Sequence, residues 1–510
     1  MAALTIWKDG EPSSLEVDPG TLLSDALIAA GAAPDMPCGG NGKCGKCRVR
    51  ARGALSPQDG AERALLGGAG GMRLACFARV LGDAEVWCGD GGVEALSWAE
   101  MPSVSPDGSG YGIAADVGTT TVAVRLYDLA TGAALAEALE GNRQAPFGAD
   151  VITRIGRAES GDAAALTASV RGQLAQMAQK CMAQAGVASI SRAVVTGNTT
   201  MLHFYEGLDA SGIARAPFTP ASRFGCESRA PLLGAPVWLP PCVGAYIGAD
   251  TVCAILASGM TERPELSLLA DIGTNGEVAL RRGERLLCCS TAAGPAFEGA
   301  GLSMGMRAAR GALTGVSVPP EGGVRISVLG GGDAAGICGS GAIDAARVMR
   351  ALGVMDESGR IDPDYAGPGE ILELDGQPAW RVPGTEVCVT QKDVRQIQLA
   401  KSAVCAGIRT LLLTADCAAE DVKTFDVAGG FGRFMDARSA ARIGLFPEAL
   451  LPAVRVVGNG ALAGASMALL SRACARRAEE IRDTAEELEL SGSAAFMDFY
   501  VDGMFFGEDE

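Results

Sequence analysis

Three cysteines stand in one glycine-rich stretch, PCGGNGKCGKC, as Cys38, Cys44 and Cys47; a fourth, Cys76, lies in RLACFARV. The spacing is Cys, five residues, Cys, two residues, Cys, and then 28 residues to the last. Thiolates ligate iron–sulfur clusters, and a backbone that wraps a cluster closely needs residues without side chains. Gly39, Gly40, Gly42 and Gly45 supply them. Loop N–H groups can then donate to the sulfurs and tune the potential. The pattern predicts a [2Fe–2S] cluster held by the four cysteines. A structural zinc site and metal-free thiols are the alternatives, but zinc knuckles present two CxxC pairs and this chain has one pair and two single cysteines. The chain's one histidine, His203, also removes most zinc ligand sets. Cys88, beyond the quartet, reads as a buried thiol.

A second set of residues could handle phosphate. ADVGTTTVAVRLYD begins at Ala115 and ADIGTNGEVAL at Ala270, with Asp116 and Asp271 155 residues apart. Each follows a short apolar strand and precedes an alternating one. The turns Gly118-Thr119-Thr120 and Gly273-Thr274-Asn275 offer backbone N–H groups and polar side chains to phosphate oxygens. Asp116 and Asp271, just before them, can hold Mg²⁺ directly or through water. VAGGFGRFMD opens with Gly429 and Gly430, where backbone can pack against an adenosine, and Gly458-Asn459 starts a helix in GNGALAGA. The Walker-type and Rossmann glycine patterns are absent. Two echoing turns followed by these glycine segments predict ATP binding in a duplicated domain.

The elements that must position these residues are legible at coarse grain. Residues 4–8 and 15–17 alternate around Asp9-Gly10, a hairpin signal, and residues 22–30 form an apolar helical run ended by Gly31. Residues 89–110 mix Gly, Pro, Ser and acids and read as a tether. Asn198-Thr199-Thr200 precedes an apolar helix bearing His203, which reads as a packed or capping histidine. Asp250 starts a helix after a Gly-rich turn and reads as its cap or as an orienter of water. Gly294, Gly299, Gly301 and Gly305 suit a close approach to a ligand or partner. Ser340 in GICGSGAIDA reads as a helix cap beside amides that can meet an anion. Residues 392–412 have apolar positions at helical spacing, with Lys401 read as a snorkelling surface lysine. The aromatic C-terminus is expected to fold back on the large domain.

Bulk properties set the class. The chain has 510 residues, 48% hydrophobic and 20% charged, enough for several cored domains. A net charge of −17 argues against nucleic acid or an anionic membrane surface as partner. Sixteen cysteines without an export signal favour metal binding and buried thiols over disulfides, and a cytoplasmic location is expected.

Residues 1–90 resemble ferredoxin-type β-grasp domains, the five-residue gap being closer to the adrenodoxin-like spacing. The two phosphate turns followed by the adenosine loop resemble the acetate kinase/sugar kinase/Hsp70/actin superfamily. In order, PCGGNGKCGKC, RLAC, DVGTTTV, GNTTM, DIGTNGE, GPAFEGA, GMRA and QLAKSA resemble the reductive activators of corrinoid-dependent enzymes over nearly the whole chain. The resemblance implies an α+β β-grasp ferredoxin domain (1–88), a linker (89–110) and a duplicated α/β actin-like, ribonuclease H-like ATPase domain (111–510, halves at about 111–265 and 266–510). It implies ATP-driven reduction of Co(II) corrinoid protein of a methyltransferase or O-demethylase system to Co(I). The partners it implies are that corrinoid protein and an upstream low-potential electron donor, with a homodimer compatible with the superfamily. A plant-type [2Fe–2S] centre lies near about −400 mV, and the Co(II)/Co(I) couple of a bound corrinoid lower still, so electron transfer runs uphill without ATP. By analogy Ser303, in GLSMGMR, is the candidate side chain for contact with cobalt. The short linker leaves no room for an additional middle domain. An electron activator of the 2-hydroxyacyl-CoA dehydratase type and a redox-linked small-molecule kinase are the alternatives.

Overall fold

A computed structural model gives the structure of the protein and describes residues 1–8, 11–30, 32, 34, 36, 42, 45, 47–66, 72–87, 103–429 and 435–507. Cys38, Cys44, Cys88 and Gly430 lie outside the described residues, as does most of the tether. The chain forms two compact units. One comprises Met1–Gly92, Thr119–Thr121 and Glu140–Gln173; the other comprises Val93–Gly118, Val122–Leu139 and Leu174–Glu510.

In the first unit, strands β1 (Ala2–Lys8) and β2 (Glu11–Val17) pair antiparallel, with Lys8 opposite Glu11. Helix α1 (Leu23–Ala29) follows, then β3 (Arg48–Leu55), α2 (Gly60–Leu66), β4 (Met72–Leu74) and β5 (Val80–Trp87). The sheet runs β2-β1-β5-β3-β4, with β1 and β5 parallel. The even positions Leu4 and Ile6 join Leu23, Leu27, Leu74, Val80 and Val86 in one buried core. This is the β-grasp arrangement the resemblance implies. A buried bidentate ion pair ties α2 to β4: Arg73 donates to both Glu62 oxygens at 2.9 and 3.0 Å, and the Leu74 N–H donates to the same carboxylate at 2.8 Å. That pair fixes the strand that delivers Cys76.

The chain continues with β6 (Tyr111–Val117), β7 (Thr121–Asp128) and β8 (Ala134–Gly141), then helices α3 (Val151–Arg157) and α4 (Ala163–Ala185). Strand β9 (Arg192–Gly197), α5 (Thr199–Glu206), β10 (Cys226–Glu227), β11 (Val237–Leu239) and α6 (Ala249–Ser258) complete this half. The second half brings β12 (Ser267–Ile272), β13 (Gly276–Arg282) and β14 (Arg285–Thr291). A small sheet of β15 (Ala312–Ser317), β16 (Arg325–Val328) and β17 (Gly336–Ile337) leads into α7 (Gly339–Ala351). Another, of β18 (Glu370–Leu374), β19 (Gln377–Arg381) and β20 (Cys388–Thr390), leads into α8 (Gln391–Thr414). The chain ends with β21 (Thr424–Ala428), α9 (Ala437–Arg442), β22 (Val454–Gly458), α10 (Gly460–Leu470), α11 (Arg472–Thr484), β23 (Ala485–Glu487) and α12 (Ala494–Asp502).

The two main sheets share one plan. Their orders are β10-β11-β9-β6-β7-β8 and β22-β21-β12-β13-β14-β23. In each, an antiparallel hairpin opens the half (β6–β7, β12–β13), and later strands add parallel to its first strand (β9 on β6, β21 on β12). The echo at Asp116 and Asp271 is thus a structural repeat, each aspartate near the end of the first strand of its sheet. Helices α6 and α10 pack between the sheets. A side chain at Gly464 would stand 2.0 Å from the Cys253 carbonyl oxygen, so the two backbones touch.

Helix α8 has the length and apolarity of a membrane span, but 78% of that stretch is buried in the protein, which makes it a core helix. Its Lys401 is not a surface lysine. The side chain is fully buried, and its Nζ donates to the Gly503 and Phe505 carbonyls at 2.6 Å each and sits 4.7 Å from the Phe506 ring centre. Gln398 donates to the Met504 carbonyl at 2.7 Å. The aromatic C-terminus therefore folds back as expected, and α8 supplies the donors that hold it. Burial lowers the Lys401 pKa to about 8. Replacing Lys401 by Met should destabilise the protein by about 1–3 kcal/mol, because two buried carbonyls lose their donor. Denaturant titration checks the loss, and limited proteolysis should show cleavage after residue 490 that the parent protein resists.

Candidate functional site

Next to the last residue of β6 and of β12 stand Asp116 and Asp271, close enough to each other and to Asp250 for their charges to interact. Asp116 accepts a hydrogen bond from Asn459 Nδ2 at 2.9 Å. Asn459 caps α10, its Oδ1 accepting from the Leu462 N–H at 2.7 Å, so one amide ties the second half's helix to the first half's aspartate. Asp271 faces Glu277 across the β12–β13 hairpin in register. Asp250 lies in the first turn of α6, where the cap is Gly248; its Oδ1 accepts from its neighbour Thr251's N–H at 2.8 Å. The cap reading of Asp250 therefore does not hold, and its carboxylate lies near Asp116 and Asp271.

Loss of solvent is the largest influence on all four carboxyls, and it favours their neutral forms. Asp116 is raised to about 7, with Asn459 opposing and Asp250 adding to the rise. Asp271 is raised to about 7, the charges of Asp250, Asp116 and Glu298 adding to burial. Asp250 is raised to about 6, and Glu277 well above the usual range. Mutual repulsion of this kind is relieved by a cation. Among the described residues no three metal-binding side chains close into a cage. That suits a magnesium ion held by one or two carboxylates with the rest of its shell from phosphate and water. The residues present thus fit Mg·ATP.

The second phosphate turn is ordered by Glu298, whose carboxylate accepts from Thr274 Oγ1 at 2.5 Å. The Gly294 N–H donates to the Thr274 carbonyl at 2.8 Å. Gly273 and Asn275 complete this turn. Gly429 has φ +117°, and a side chain there would meet the Ile272 carbonyl at 2.3 Å, so the adenosine-loop glycine is needed where β21 passes β12. Gly458, at φ +70°, precedes Asn459. Gly118, just after β6, belongs to the large unit, whereas Thr119 and Thr120 fall in the first unit. There the Thr119 carbonyl accepts from the buried Arg154 guanidinium at 2.7 Å, and the Thr120 carbonyl from the Asn142 N–H at 2.8 Å.

Other glycine-rich pieces serve the protein's own backbone. A side chain at Gly299 would stand 2.0 Å from the Met306 carbonyl, and one at Gly305 2.2 Å from that of Gly299. A side chain at Gly339 would stand 1.8 Å from the Phe297 carbonyl oxygen, and one at Gly341 2.1 Å from that of Leu313. The cap of α7 is Cys338, and Ser340 instead donates to the Thr314 carbonyl at 3.0 Å. Ser303 is exposed, and its N–H and hydroxyl both donate to Asp393, at 2.6 and 3.0 Å. Asp393 and Thr390 form the capping box of α8. In the first unit, Cys47 and Cys76 bring their sulfurs to 3.2 Å, so two of the four cysteines singled out by the sequence lie together. A side chain at Gly42 would meet the Phe77 ring at 2.8 Å, which explains one loop glycine by packing.

Sequence reasoning missed Glu277, Glu298 and Asp393. Glu277 was recoverable, since a hairpin from Asp271 pairs it with the residue six positions on. Glu298 and Asp393 act over 24 and 90 residues, for which the sequence carries no local signal.

Three family descriptions match in chain order: the 2Fe–2S iron–sulfur cluster binding domain at residues 6–81, the RACo middle region at 111–263, and the C-terminal ASKHA domain of RACo at 265–510. The corrinoid activation enzyme RamQ of Eubacterium limosum is 32% identical over 440 residues, covering 80% of this chain and 72% of that protein. The chain belongs to the RACo family. A Methanosarcina barkeri reductase described as specific for the Co(II) methylated amine-specific corrinoid protein is 29% identical, covering 77% of this chain and 76% of its own. A solved reductive activator for corrinoid, iron-sulfur protein superposes with a TM-score of 0.72 at 28% identity over 99% of both chains. The family's middle region falls on residues 111–263, the stretch read above as the first ATPase half. The expectation that the chain has no room for a middle domain does not hold in that form.

Helix α5 forms a wall near these residues: Asn198 caps it, and Thr199 Oγ1 donates to the Gly244 carbonyl at 2.8 Å. His203 is buried within it, as the packed reading expected. Its Nε2 accepts from the Ser222 N–H at 3.3 Å, so Nδ1 carries the proton and donates to the Thr199 carbonyl at 2.7 Å. Burial lowers its pKa. The neutral ring's contribution is present above the unfolded value near 6.5 and is lost as pH falls below it, because the unfolded chain takes up the proton first. The Tm of the parent protein should therefore fall more between pH 7.5 and 5.5 than that of His203→Gln. The difference between the two proteins isolates the histidine from the oppositely titrating carboxylates; equal falls would refute the assignment.

Proposed function

We propose that this protein is an ATP-dependent reductive activator that returns Co(II) corrinoid protein of a methyltransferase system to Co(I). The observation that carries the reading is the union, in one chain, of a cluster-binding β-grasp domain and a duplicated ATPase fold whose cleft gathers raised carboxyls. Its 32% identity with a corrinoid activation enzyme over 80% of the chain names the acceptor class. In this reading Cys38, Cys44, Cys47 and Cys76 hold a [2Fe–2S] cluster, which supplies a one-electron carrier. Asp116 and Asp271 hold the cation of Mg·ATP. Gly118, Thr119, Thr120, Gly273, Thr274 and Asn275 receive its phosphates, Glu298 keeps the Thr274 hydroxyl oriented, and Gly429, Gly430, Gly458 and Asn459 line the nucleoside end. Ser303 is the group offered to the corrinoid, and Asp393 fixes where its hydroxyl proton lies. The upstream donor is a low-potential protein, the location is the cytoplasm, and the domains divide at 1–88, 89–110 and 111–510.

The test mixes the cluster-loaded protein, a strong reductant, Mg·ATP and a Co(II) corrinoid protein, and follows the Co(I) absorbance. Cys44→Ser should abolish Co(I) formation while leaving ATP binding intact. Asp271→Asn should slow both ATP hydrolysis and Co(I) formation by about 100-fold or more, since it removes an anionic ligand of the cation that neutralises the phosphates. Full activity in Cys44→Ser would sink the relay, and ATP turnover on a metabolite with no Co(I) would favour the kinase alternative.

A further inference from the structure

Trp7, Arg50, Arg52 and Trp87 lie on the face of the β-grasp sheet opposite the core that Leu4, Ile6 and Val86 share with α1. On β1 and β5, Trp7 and Trp87 are register partners, and their rings stack with centres 6.4 Å apart and planes 5° apart. Strand β3 brings Arg50 opposite Trp87 and Arg52 opposite Glu85. Both guanidinium groups lie over the Trp87 ring, at 5.8 and 5.0 Å. Arg52 is 70% exposed and pairs with Glu85 at 2.7 Å. Both tryptophans are partly exposed. A core role does not explain the arrangement, because the core of this sheet lies on the opposite face with Leu4, Ile6 and Val86.

The position is informative. Arg50 is three residues beyond Cys47 along β3, about 10 Å at the rise of a strand. Leu74, two residues before Cys76, pairs with Arg48 on the same strand. The aromatic–cationic patch therefore occupies the cluster end of the sheet, whereas Asp83 and Glu16 sit toward the other end, with Asp83 accepting from the Ala3 N–H. Charge along the chain sharpens the contrast. Residues 1–88 carry nine basic and ten acidic side chains, and the remaining residues carry the other −16 of the net −17. Against that acidic background, Arg50 and Arg52 place two guanidinium groups over one partly exposed aromatic ring.

We infer that the Trp7–Trp87–Arg50–Arg52 face is the docking surface for the upstream electron donor, and that the donor is a small redox protein with an acidic surface. The inference rests on the relay role of the cluster proposed above. One electron passes from the donor's reduced centre to the oxidised cluster; the donor is oxidised by one electron, the cluster is reduced by one, and no bond changes. Arginines held flat on an indole are presented with little freedom left to lose on binding a carboxylate, and the tryptophans give the contact an apolar centre. Electron-transfer encounters need only a small interface of this kind.

The experiment uses the full-length, cluster-loaded protein and stopped-flow reduction of its cluster by a reduced acidic flavodoxin, with dithionite as the small-molecule control. Arg50→Glu/Arg52→Glu should lower the flavodoxin rate constant about tenfold or more at low salt and remove its salt dependence, with dithionite reduction unchanged. Arg50→Gln/Arg52→Gln should show an intermediate loss and decides the matter if the charge-reversed protein does not assemble its cluster. An unchanged flavodoxin rate in the neutralised or reversed variant overturns the proposal. So does normal reduction by flavodoxin combined with slower electron delivery to Co(II), which assigns the face to the corrinoid partner instead. Failure of the relay itself is seen separately, as parent protein that dithionite reduces but that forms no Co(I) with Mg·ATP.

Discussion

Asp116, Asp250, Asp271 and Glu277 repel one another in a cleft that water enters poorly, and the large unit is organised around keeping them there. Each is delivered by a different piece of regular structure: the end of β6, the first turn of α6, the end of β12 and the start of β13. Buried as they are, such groups favour their neutral forms, and loss of solvent more than mutual repulsion raises their pKa values. Rigid sheets and closely packed helices hold the acids in place against this repulsion. A site built this way is poised for a cation and an anionic ligand together, because either alone leaves charge unbalanced.

Much of this was legible because duplication leaves a trace in the chain. The pairing of Asp116 and Asp271 in equivalent strands followed from a five-residue echo, and the β-grasp elements from alternation and spacing. Residues whose role depends on distant partners were not legible. Lys401 carries the pattern of a helix-face lysine, yet its function is set by carbonyls about a hundred residues later. The Gly-rich segment around Ser303 looks like a ligand loop, and two of its glycines, Gly299 and Gly305, prove to admit the neighbouring backbone. Composition reports that a close approach occurs; it cannot report to what.

The same distinction separates the two ends of the relay. The cysteine spacing identifies the cluster site without help from the fold. The aromatic–cationic face beside it is invisible in the sequence, because Trp7, Arg50, Arg52 and Trp87 come from three strands whose neighbourhood depends on the β2-β1-β5-β3-β4 order. Local chemistry is written locally, and surfaces that meet partners are written in topology.

The contact between α6 and α10 has a mechanical consequence. Where helices cross through interlocked side chains, rotating one against the other means lifting each side chain out of its groove, and the helices move like gears. At Gly464 and Cys253 the backbones themselves meet, with nothing interposed to lift. Such a crossing acts as a pin. Any swing of the two sheets about it would leave the distance between the helix axes fixed. Asn459, at the start of α10, joins that pin to Asp116, so rotation at the pivot is felt first at the acid nearest the first phosphate turn.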